Sequence, residues 1–260
     1  MINSLWISKT GMEAQQMQLD VISHNLANVS TTGYKRANAV FEDLMYQNLR
    51  QVGSSTTDQS QLPTGLHLGL GVRTVATSRS FAQGTVQQTG NPLDVAIQGS
   101  GFFQITMPDG TNQYTRDGSF QVDSQGRLVT ASGLAVASGV TVPANAKNVT
   151  ISNNGTVTAT VPGNVSPQSI GTITLASFLN PAGLEPQGQN LFAESPASGQ
   201  ASTGTPGANG LGMISQGFLE TSNVNVVQEL ISMIQTQRAY EMNSKAIQTS
   251  DQMLQKLGQL

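Results

Sequence analysis

The sequence predicts an α+β protein in which long N- and C-terminal α-helices form a coiled-coil-like assembly domain and an all-β domain is inserted between them. Apolar residues recur every seven positions near both ends of the chain, and short alternating runs separated by turn residues fill the middle. Only 10% of the 260 residues are charged, against about 25% in an ordinary soluble domain. Ser, Thr, Asn and Gln, 97 residues together, must therefore supply most of the polar surface.

The N-terminal helix is predicted over residues 2–29, where Gly11 is the single Gly or Pro. A seven-residue apolar row and one companion position give the candidate self-assembly residues of this helix. The helix should end before Gly33, because glycine readily adopts the left-handed conformation that terminates helices. The candidate residues are Leu5, Met12, Leu19, Ile22 and Leu26.

The C-terminal helix is predicted over residues 223–257, which contain neither Gly nor Pro. Its companion row begins with Leu230 and then turns polar, so only half of a coiled-coil seam is present. The missing apolar surface can come from further copies of the chain, or from a closed pair of helices packed on the β domain of the same chain. The candidate self-assembly residues are Val226, Leu230, Met233, Tyr240, Ile247 and Leu254.

The middle of the chain is predicted to form β-strands joined by turns. Hairpin connections are predicted at residues 108–110, 117–118, 124–126 and 153–155, each of which contains a glycine. The sequence therefore favours an all-β domain over residues 73–220. The predicted strands span residues 73–81, 93–98, 102–107, 113–116, 119–122, 128–130, 148–152, 156–161 and 170–178.

Two irregular stretches interrupt this pattern. Residues 46–72 are rich in Gln, Ser and Thr, yet Leu62, Leu66, Leu68 and Leu70 suggest an extended arm that bridges subunits. Residues 195–212 have linker composition and predict a flexible surface loop. The predicted domains are thus residues 1–45 with 221–260, the 46–72 arm, and the β domain.

Composition excludes several classes of function. A net charge of −3, with Lys35 and Arg36 as the only adjacent basic pair, gives no electrostatic footprint for nucleic acid. The absence of cysteine removes disulfides and thiolate chemistry. Asp20 and His24 share a helix face, but a zinc site needs three or four protein ligands. The sequence predicts no catalytic, cofactor-binding or metal-binding residues and no small-molecule substrate.

The sequence shows no pattern typical of a transmembrane segment or of a secretory signal peptide. No window approaches the roughly 18 apolar residues of a membrane span, and the first residues lack a basic region followed by an apolar one. The sequence therefore predicts neither a transmembrane segment nor a cleaved signal peptide.

Three separated motifs, together about a fifth of the chain, resemble the bacterial flagellar rod and hook proteins. The first, Ser23 to Arg36, includes the signature residues Asn25, Asn28, Gly33, Tyr34 and Lys35. The second comprises residues 90–103 and 114–120, and the third comprises residues 222–241. Within that family, the length and the 46–72 segment resemble a rod subunit rather than a hook subunit.

This resemblance implies a structural subunit of the distal rod of the flagellar basal body and no enzymatic activity. Its implied form is a rigid helical homopolymer that spans from the periplasm to the outer membrane and transmits motor torque to the hook. The implied partners are other copies, the proximal rod, the hook, the periplasmic and outer-membrane ring proteins, and the flagellar type III export machinery. The open alternatives are another axial subunit, and a secreted β-rich hydrolase or carbohydrate-binding module.

Overall fold

The computed structural model describes residues 2–52, 55–57, 60–61, 64–162 and 166–258. The chain folds into two compact units. The helical unit contains the residues up to Leu26, Ala37–Ser78, and the residues from Asn225 onward. The β unit contains Ala27–Arg36 and Arg79–Val224. The α+β class is confirmed, with terminal helices on either side of a β-rich region in the sequence.

The helical unit combines the two terminal helices with three strand pairs. The elements are α1 (Ile2–Ala27), β1 (Ala37–Asp43), β2 (Tyr46–Arg50), β3 (Ser55–Thr57), β4 (Ser60–Gln61), β5 (Leu66–Gly69), β6 (Val72–Arg79) and α2 (Val226–Leu257). Strands β1 and β6 pair with one another, as do β2 and β5, and β3 and β4.

Both predicted helices are present, with ends close to those expected. Helix α1 ends at Ala27, and the chain then turns toward Gly33, which has φ of 67°. Helix α2 begins after Asn225, whose side chain accepts a hydrogen bond from the Gln228 amide at 3.2 Å. This cap satisfies one of the amide groups that a helix N-terminus leaves without a partner.

The predicted extended arm folds back on itself as a β-hairpin. Strands β2 and β5 pair antiparallel, with Gln47 opposite Leu68 and Asn48 opposite His67. The Leu44 amide donates to the Gly71 carbonyl at 2.9 Å, which closes the base of the hairpin. The hairpin forms because, in an antiparallel pair, each strand supplies hydrogen-bond partners for the backbone N–H and C=O groups of the other.

The β unit consists of short strands with a short 3₁₀ turn at Pro181–Gly183. The strands are β7 (Val86–Gln88), β8 (Val95–Gln98), β9 (Phe102–Thr106), β10 (Asn112–Thr115), β11 (Gln121–Val122), β12 (Leu128–Val129), β13 (Ala135–Val136), β14 (Asn148–Ile151), β15 (Thr156–Thr160), β16 (Gln168–Thr172), β17 (Leu175–Ser177), β18 (Glu185–Gly188), β19 (Leu191–Ala193), β20 (Ser202–Gly204), β21 (Met213–Gln216) and β22 (Phe218–Glu220).

Strand β9 organises the main sheet, whose order is β11-β12-β13-β9-β10-β19-β18, with β17 joining β9 and β20. Separate pairs form between β21 and β8 and between β22 and β7, and β14-β15-β16 form a small sheet. The side chains of β9 alternate between the two faces, so Phe103 and Ile105 enter one apolar cluster while Phe102 enters another. The core of the β unit therefore lies on both sides of this strand.

The strand predictions are confirmed in position but not always in pairing. The connections at residues 108–110, 124–126 and 153–155 are hairpin turns, as expected. Residues 117–118 are not, because β10 pairs with β9 and β19 whereas β11 pairs with β12. The predicted strand 170–178 is divided into β16 and β17, which pair with different neighbours.

The segment 195–212 is more structured than its linker composition predicts. It contains β20, and Leu211 is buried in the apolar core. Ser198 is also buried, and its hydroxyl donates to the Ser195 carbonyl at 2.9 Å. Small polar side chains in this segment therefore hydrogen-bond to nearby backbone groups, which linker composition alone does not predict.

Neither helix among the described residues has an apolar stretch long enough to cross a membrane.

Candidate functional site

The signature residues following α1 meet two distant segments inside the β unit. Lys35 donates to a carboxylate oxygen of Glu220 at 2.5 Å and to the Ala82 carbonyl at 2.8 Å. Arg116 donates to the other oxygen of Glu220 at 3.2 Å. The side chains of Lys35 and Glu220 are 0% exposed and that of Arg116 is 4% exposed. These three residues form a buried ionic triad.

Gly33 allows this approach. Its amide donates to the Glu220 carbonyl at 2.9 Å. A Cβ atom on Gly33 would lie 2.6 Å from the amide nitrogen of Asp117 and 2.8 Å from the carbonyl carbon of Arg116. Only glycine fits here, because both the positive φ and the backbone contact exclude a side chain.

Burial sets the electrostatics of the triad. Desolvation lowers the pKa of Lys35, and the Glu220 carboxylate opposes that shift. Desolvation also lowers the pKa of Arg116, again against the attraction of Glu220. Breaking a buried ion pair by removing one partner costs about 3–5 kcal/mol, because the remaining charge is left without compensation. The triad therefore holds Lys35 within the β unit, to which residues 27–36 belong, whereas the sequence predicts that they lie with the N-terminal helix.

The two signature asparagines support the turns around α1. The Asn25 side chain is buried and bonds both ways with Ala37, donating to its carbonyl at 2.8 Å and accepting from its amide at 2.9 Å. Asn28 accepts from the Thr31 hydroxyl at 3.2 Å in the turn after the helix. Tyr34 is buried, and the Arg79 guanidinium lies 5.8 Å from the centre of its ring. The signature therefore fixes the path of the backbone.

Sequence reasoning missed Arg116 and Glu220 as members of this site. A signal was present, because charge is scarce and Glu220 is the single charged residue between Glu194 and Glu229. An isolated carboxylate directly after Phe218 and Leu219 marks a position where burial and a cationic partner are expected. The identity of that partner could not be read from the sequence, since Lys35 lies 185 positions away.

Helix α2 carries many of its apolar side chains on an exposed face. An exposed stripe follows the i, i+3, i+4, i+7 spacing of one helix face and consists of Val227, Leu230, Ile231 and Ile234, which are 66%, 43%, 51% and 57% exposed. The opposite stripe is buried or half-buried and mostly polar, with Glu229, Ser232, Thr236, Asn243 and Ser250. An ordinary amphipathic helix has the reverse arrangement.

The predicted self-assembly residues of α2 divide between these two stripes. Val226, Leu230, Tyr240 and Leu254 are exposed. Met233 and Ile247 are half-buried. The seven-residue row therefore lies at the edge of the exposed face, and neighbouring positions such as Ile234 are more exposed than the row itself.

The predicted residues of α1 are less accessible. Leu5, Met12, Leu19 and Leu26 are half-buried. Ile22 is 1% exposed, because packing within the chain already covers its side chain. Gly11 of α1 lies against α2, since a Cβ atom there would be 3.0 Å from the side-chain nitrogen of Asn243.

The hairpin exposes apolar side chains as well. Leu66 and Leu68 lie on one face of β5 and are 56% and 37% exposed, and Leu70 is half-buried. Tyr46 and Leu49 of β2 are each 58% exposed. Leu62, the remaining predicted residue of the arm, lies outside the described residues.

Three family models match the chain. Residues 6–35 match the flagella basal body rod protein model, residues 96–159 match the flagellar hook protein FlgE/F/G D1 domain, and residues 215–260 match the flagellar basal body rod FlgEFG protein C-terminal model. Among the described residues, these segments contain the triad: Lys35 in the first, Arg116 in the second and Glu220 in the third.

Similar proteins extend over the whole chain. The chain is 56% identical to the flagellar basal-body rod protein FlgG of Buchnera aphidicola subsp. Schizaphis graminum over 100% of both chains. It is 47% identical to FlgG of Caulobacter vibrioides over 100% of this chain and 99% of the relative. It is also 34% identical to the flagellar hook-basal body complex protein FlhP of Bacillus subtilis over 98% of this chain and 97% of that protein.

Proposed function

The chain belongs to the flagellar basal-body rod protein family and is a structural subunit of the distal rod, and on this premise we propose that further copies of the chain cover its exposed apolar faces. The polymer would be a stiff helical tube that transmits motor torque to the hook. Its basal-body position follows from the family. In this role the chain assembles with other flagellar components and acts as a structural part.

The inverted polarity of α2 carries this proposal. Val227, Leu230 and Ile231 are each more than two-fifths exposed, whereas Glu229 on the opposite side is 1% exposed. Moving apolar surface out of water stabilises association by about 25 cal/mol per Å². A helix that turns its apolar face outward is therefore stabilised by contacts that other subunits make. In a tube, coiled-coil-like packing of terminal helices from several copies would supply them.

The hairpin is the second proposed contact surface. A two-stranded ribbon is marginally stable in water by itself. Leu66 and Leu68 lie on one of its faces, and Tyr46 and Leu49 add further exposed apolar surface. We propose that this ribbon lies against a neighbouring copy and resists sliding between subunits, as expected for a rod that must not bend.

The remaining partners follow from the same position in the flagellum. The proposed neighbours along the axis are the proximal rod and the hook, and the proposed neighbours around it are the periplasmic and outer-membrane ring proteins. We propose that the subunit reaches this site unfolded through the flagellar type III export channel. The absence of cysteine is compatible with folding in an oxidising compartment without disulfide exchange.

Electron microscopy of the purified chain tests the assembly directly. Raising the protein concentration should produce straight tubes in coexistence with monomer, and the same preparation should contain a folded β unit by circular dichroism. Monodisperse particles at every concentration, with the β unit folded, would contradict self-assembly. Introducing the gene into a bacterium that lacks its own subunit of this family should restore swimming.

A further inference from the structure

We propose that Thr10 is a positioning residue, which holds the base of the β2–β5 hairpin against helix α1. Both elements belong to the helical unit. The proposal rests on the proposed function and deepens it, because the hairpin can resist sliding between copies only if it has a fixed position on its own helix. The contacts that support it lie at the base of the hairpin and within one turn of α1.

The faces of the hairpin carry little packing that could hold it in place. All five residues of β2 are exposed, and so are the residues of β5 apart from the half-buried Gly69. A two-stranded ribbon by itself is marginally stable in water. The position of the hairpin is therefore decided mainly at its base, where Leu70 and Gly71 connect β5 to β6.

Gly71 lies directly on the side chain of Thr10. A Cβ atom on Gly71 would be 2.2 Å from Thr10 Oγ1 and 3.6 Å from Ile7 Cα, and the φ of Gly71 is 117°. Only glycine combines this backbone angle with so close an approach. The Gly71 carbonyl also accepts from the Leu44 amide at 2.9 Å. The glycine that contacts α1 is therefore the one that closes the hairpin.

Two hydrogen bonds fix the hydroxyl group of Thr10. It donates to the Ile7 carbonyl of its own helix at 2.9 Å and accepts from the amide of Val72, the first residue of β6, at 3.4 Å. A hydroxyl group has one proton and two lone pairs, so it makes both bonds at once. Thr10 is 8% exposed. Its side chain therefore links the helix to the strand that follows the hairpin and cannot easily move aside.

A second contact shows the direction in which the hairpin runs along α1. The Asn3 side chain donates to the Gln47 side chain at 3.5 Å. Asn3 lies seven residues before Thr10, which is about 10 Å along a helix. Gln47 lies three residues beyond Leu44, which is about 10 Å along a strand. The hairpin therefore runs beside α1 toward the N-terminus of the helix, with Thr10 at its base.

A fixed hairpin lowers the cost of the proposed contact between copies. Leu66 and Leu68 are the exposed side chains that we propose meet a neighbouring subunit. If the hairpin moves freely in the monomer, that freedom is lost when another copy binds, and the loss weakens association. Thr10 and Gly71 order the hairpin before assembly. Substituting Thr10 should therefore free the hairpin without changing the apolar side chains that make the contact.

Three substitutions test this role. Thr10→Val keeps the branched shape and removes the hydroxyl group, whereas Thr10→Ser keeps the hydroxyl group and removes the methyl group. Gly71→Ala places a methyl group where the hydroxyl group lies. The matched control is Thr236→Val in α2, because Thr236 is 7% exposed and its hydroxyl donates to the Ser232 carbonyl of its own helix at 2.7 Å.

The readout is the distance distribution between two spin labels in the monomer. Because the chain has no cysteine, Gln16→Cys on α1 and Arg50→Cys on β2 give unique attachment sites at exposed residues. We expect one narrow distance in the parent, in Thr10→Ser and in Thr236→Val. We expect loss of that single narrow distance in Thr10→Val and Gly71→Ala. Circular dichroism should show the same helix content in all five proteins.

The proposal is overturned if Thr10→Val or Gly71→Ala keeps the narrow distance, or if the parent distribution is already as broad as that of Thr10→Val. It is equally overturned if Thr10→Ser or Thr236→Val loses the narrow distance, since the hydroxyl group of Thr10 would then not be the cause. A fall in helix content in Thr10→Val also overturns it, because Thr10 would then support α1 and not the hairpin. The measurement uses monomer, so a parent that has the narrow distance but forms no tubes contradicts the proposed function alone.

Discussion

Replacing Ile234 by lysine places a charge on the exposed stripe of α2 and should block polymerisation while leaving the monomer intact. Ile234 is 57% exposed, so little of its burial stabilises the isolated chain. Substitutions at such surface positions usually change the free energy of unfolding by no more than about 0.5 kcal/mol. Lysine is also a slightly better helix former than isoleucine.

The cost appears when a second subunit covers the side chain. Complete burial of an isoleucine contributes about 1.5–3 kcal/mol, and slightly more than half of that surface is still exposed in the monomer. The lost contribution is thus about 1–2 kcal/mol per subunit, before any cost of desolvating the ammonium group. Because about 1.4 kcal/mol changes an equilibrium tenfold, the concentration needed for assembly should rise by roughly 5- to 30-fold or more.

Sedimentation of assembly mixtures over a range of concentrations measures this shift, and thermal unfolding of the monomer measures the other half of the prediction. The control is Gln235→Lys, which adds the same charge one position away at an exposed polar residue. Ile234→Lys that assembles at the parental concentration would refute the reasoning. So would an equal effect of both substitutions, because charge rather than lost apolar contact would then control assembly.

Three further predictions concern other elements. Deleting residues 46–69 should leave the β unit folded and give tubes that curve under the electron microscope, because the proposed lateral contact is lost. Gly33→Ala should lower the free energy of unfolding in urea by more than the roughly 1–2 kcal/mol that a left-handed backbone costs a residue with a side chain. Gly90 has φ of 76°, and a Cβ atom built there meets nothing within 4 Å, so Gly90→Ala should cost only that backbone strain. Burial, and the nearby Glu194 carboxylate, raise the pKa of Tyr114 to about 12. The neutral phenol therefore stabilises the β unit fully below about pH 10, and this contribution is lost as the pH rises toward 12. In an ultraviolet titration of the tyrosines, the Tyr114→Phe variant should lack the ionisation step at the highest pH.

A specific result would contradict each of these three predictions. Straight, stiff tubes from the deletion would remove the hairpin from the mechanism. Equal losses of stability for the two glycine variants would mean that the backbone near Gly33 yields to a side chain. An unchanged highest transition in Tyr114→Phe would assign that pKa to another tyrosine.

The terminal helices and many of the strands follow from the sequence alone. A periodicity near 3.6 with no interior proline is a local signal for a helix, and α1 and α2 begin and end within three residues of the predictions. Glycine turns such as residues 153–155 likewise specify hairpins locally. The family signature could be recognised for the same reason: Gly33 and the other signature residues lie close together in the sequence.

Tertiary structure decided which elements meet. The turn at residues 117–118 has hairpin chemistry, yet it leads from one pair of neighbours to another, and its Gly118 carbonyl accepts from the Val95 amide of β8 at 3.0 Å. A Cβ atom on Gly118 would lie 1.6 Å from the Val95 carbonyl oxygen, so this close approach requires glycine. Local turn propensity cannot distinguish these outcomes, since strand pairing is a long-range choice.

The orientation of α2 and the buried triad also depended on the whole fold. Heptad spacing selected the row containing Ile247, but packing leaves Ile247 half-buried and Ile234 57% exposed. A sequence period defines a stripe on a helix without saying which side of the stripe other elements cover. Likewise, Lys35 and Glu220 are ordinary surface residue types whose pairing appears only when segments 185 positions apart are brought together. Periodicity is a property of the chain, whereas burial and pairing are properties of the surroundings that the folded chain creates.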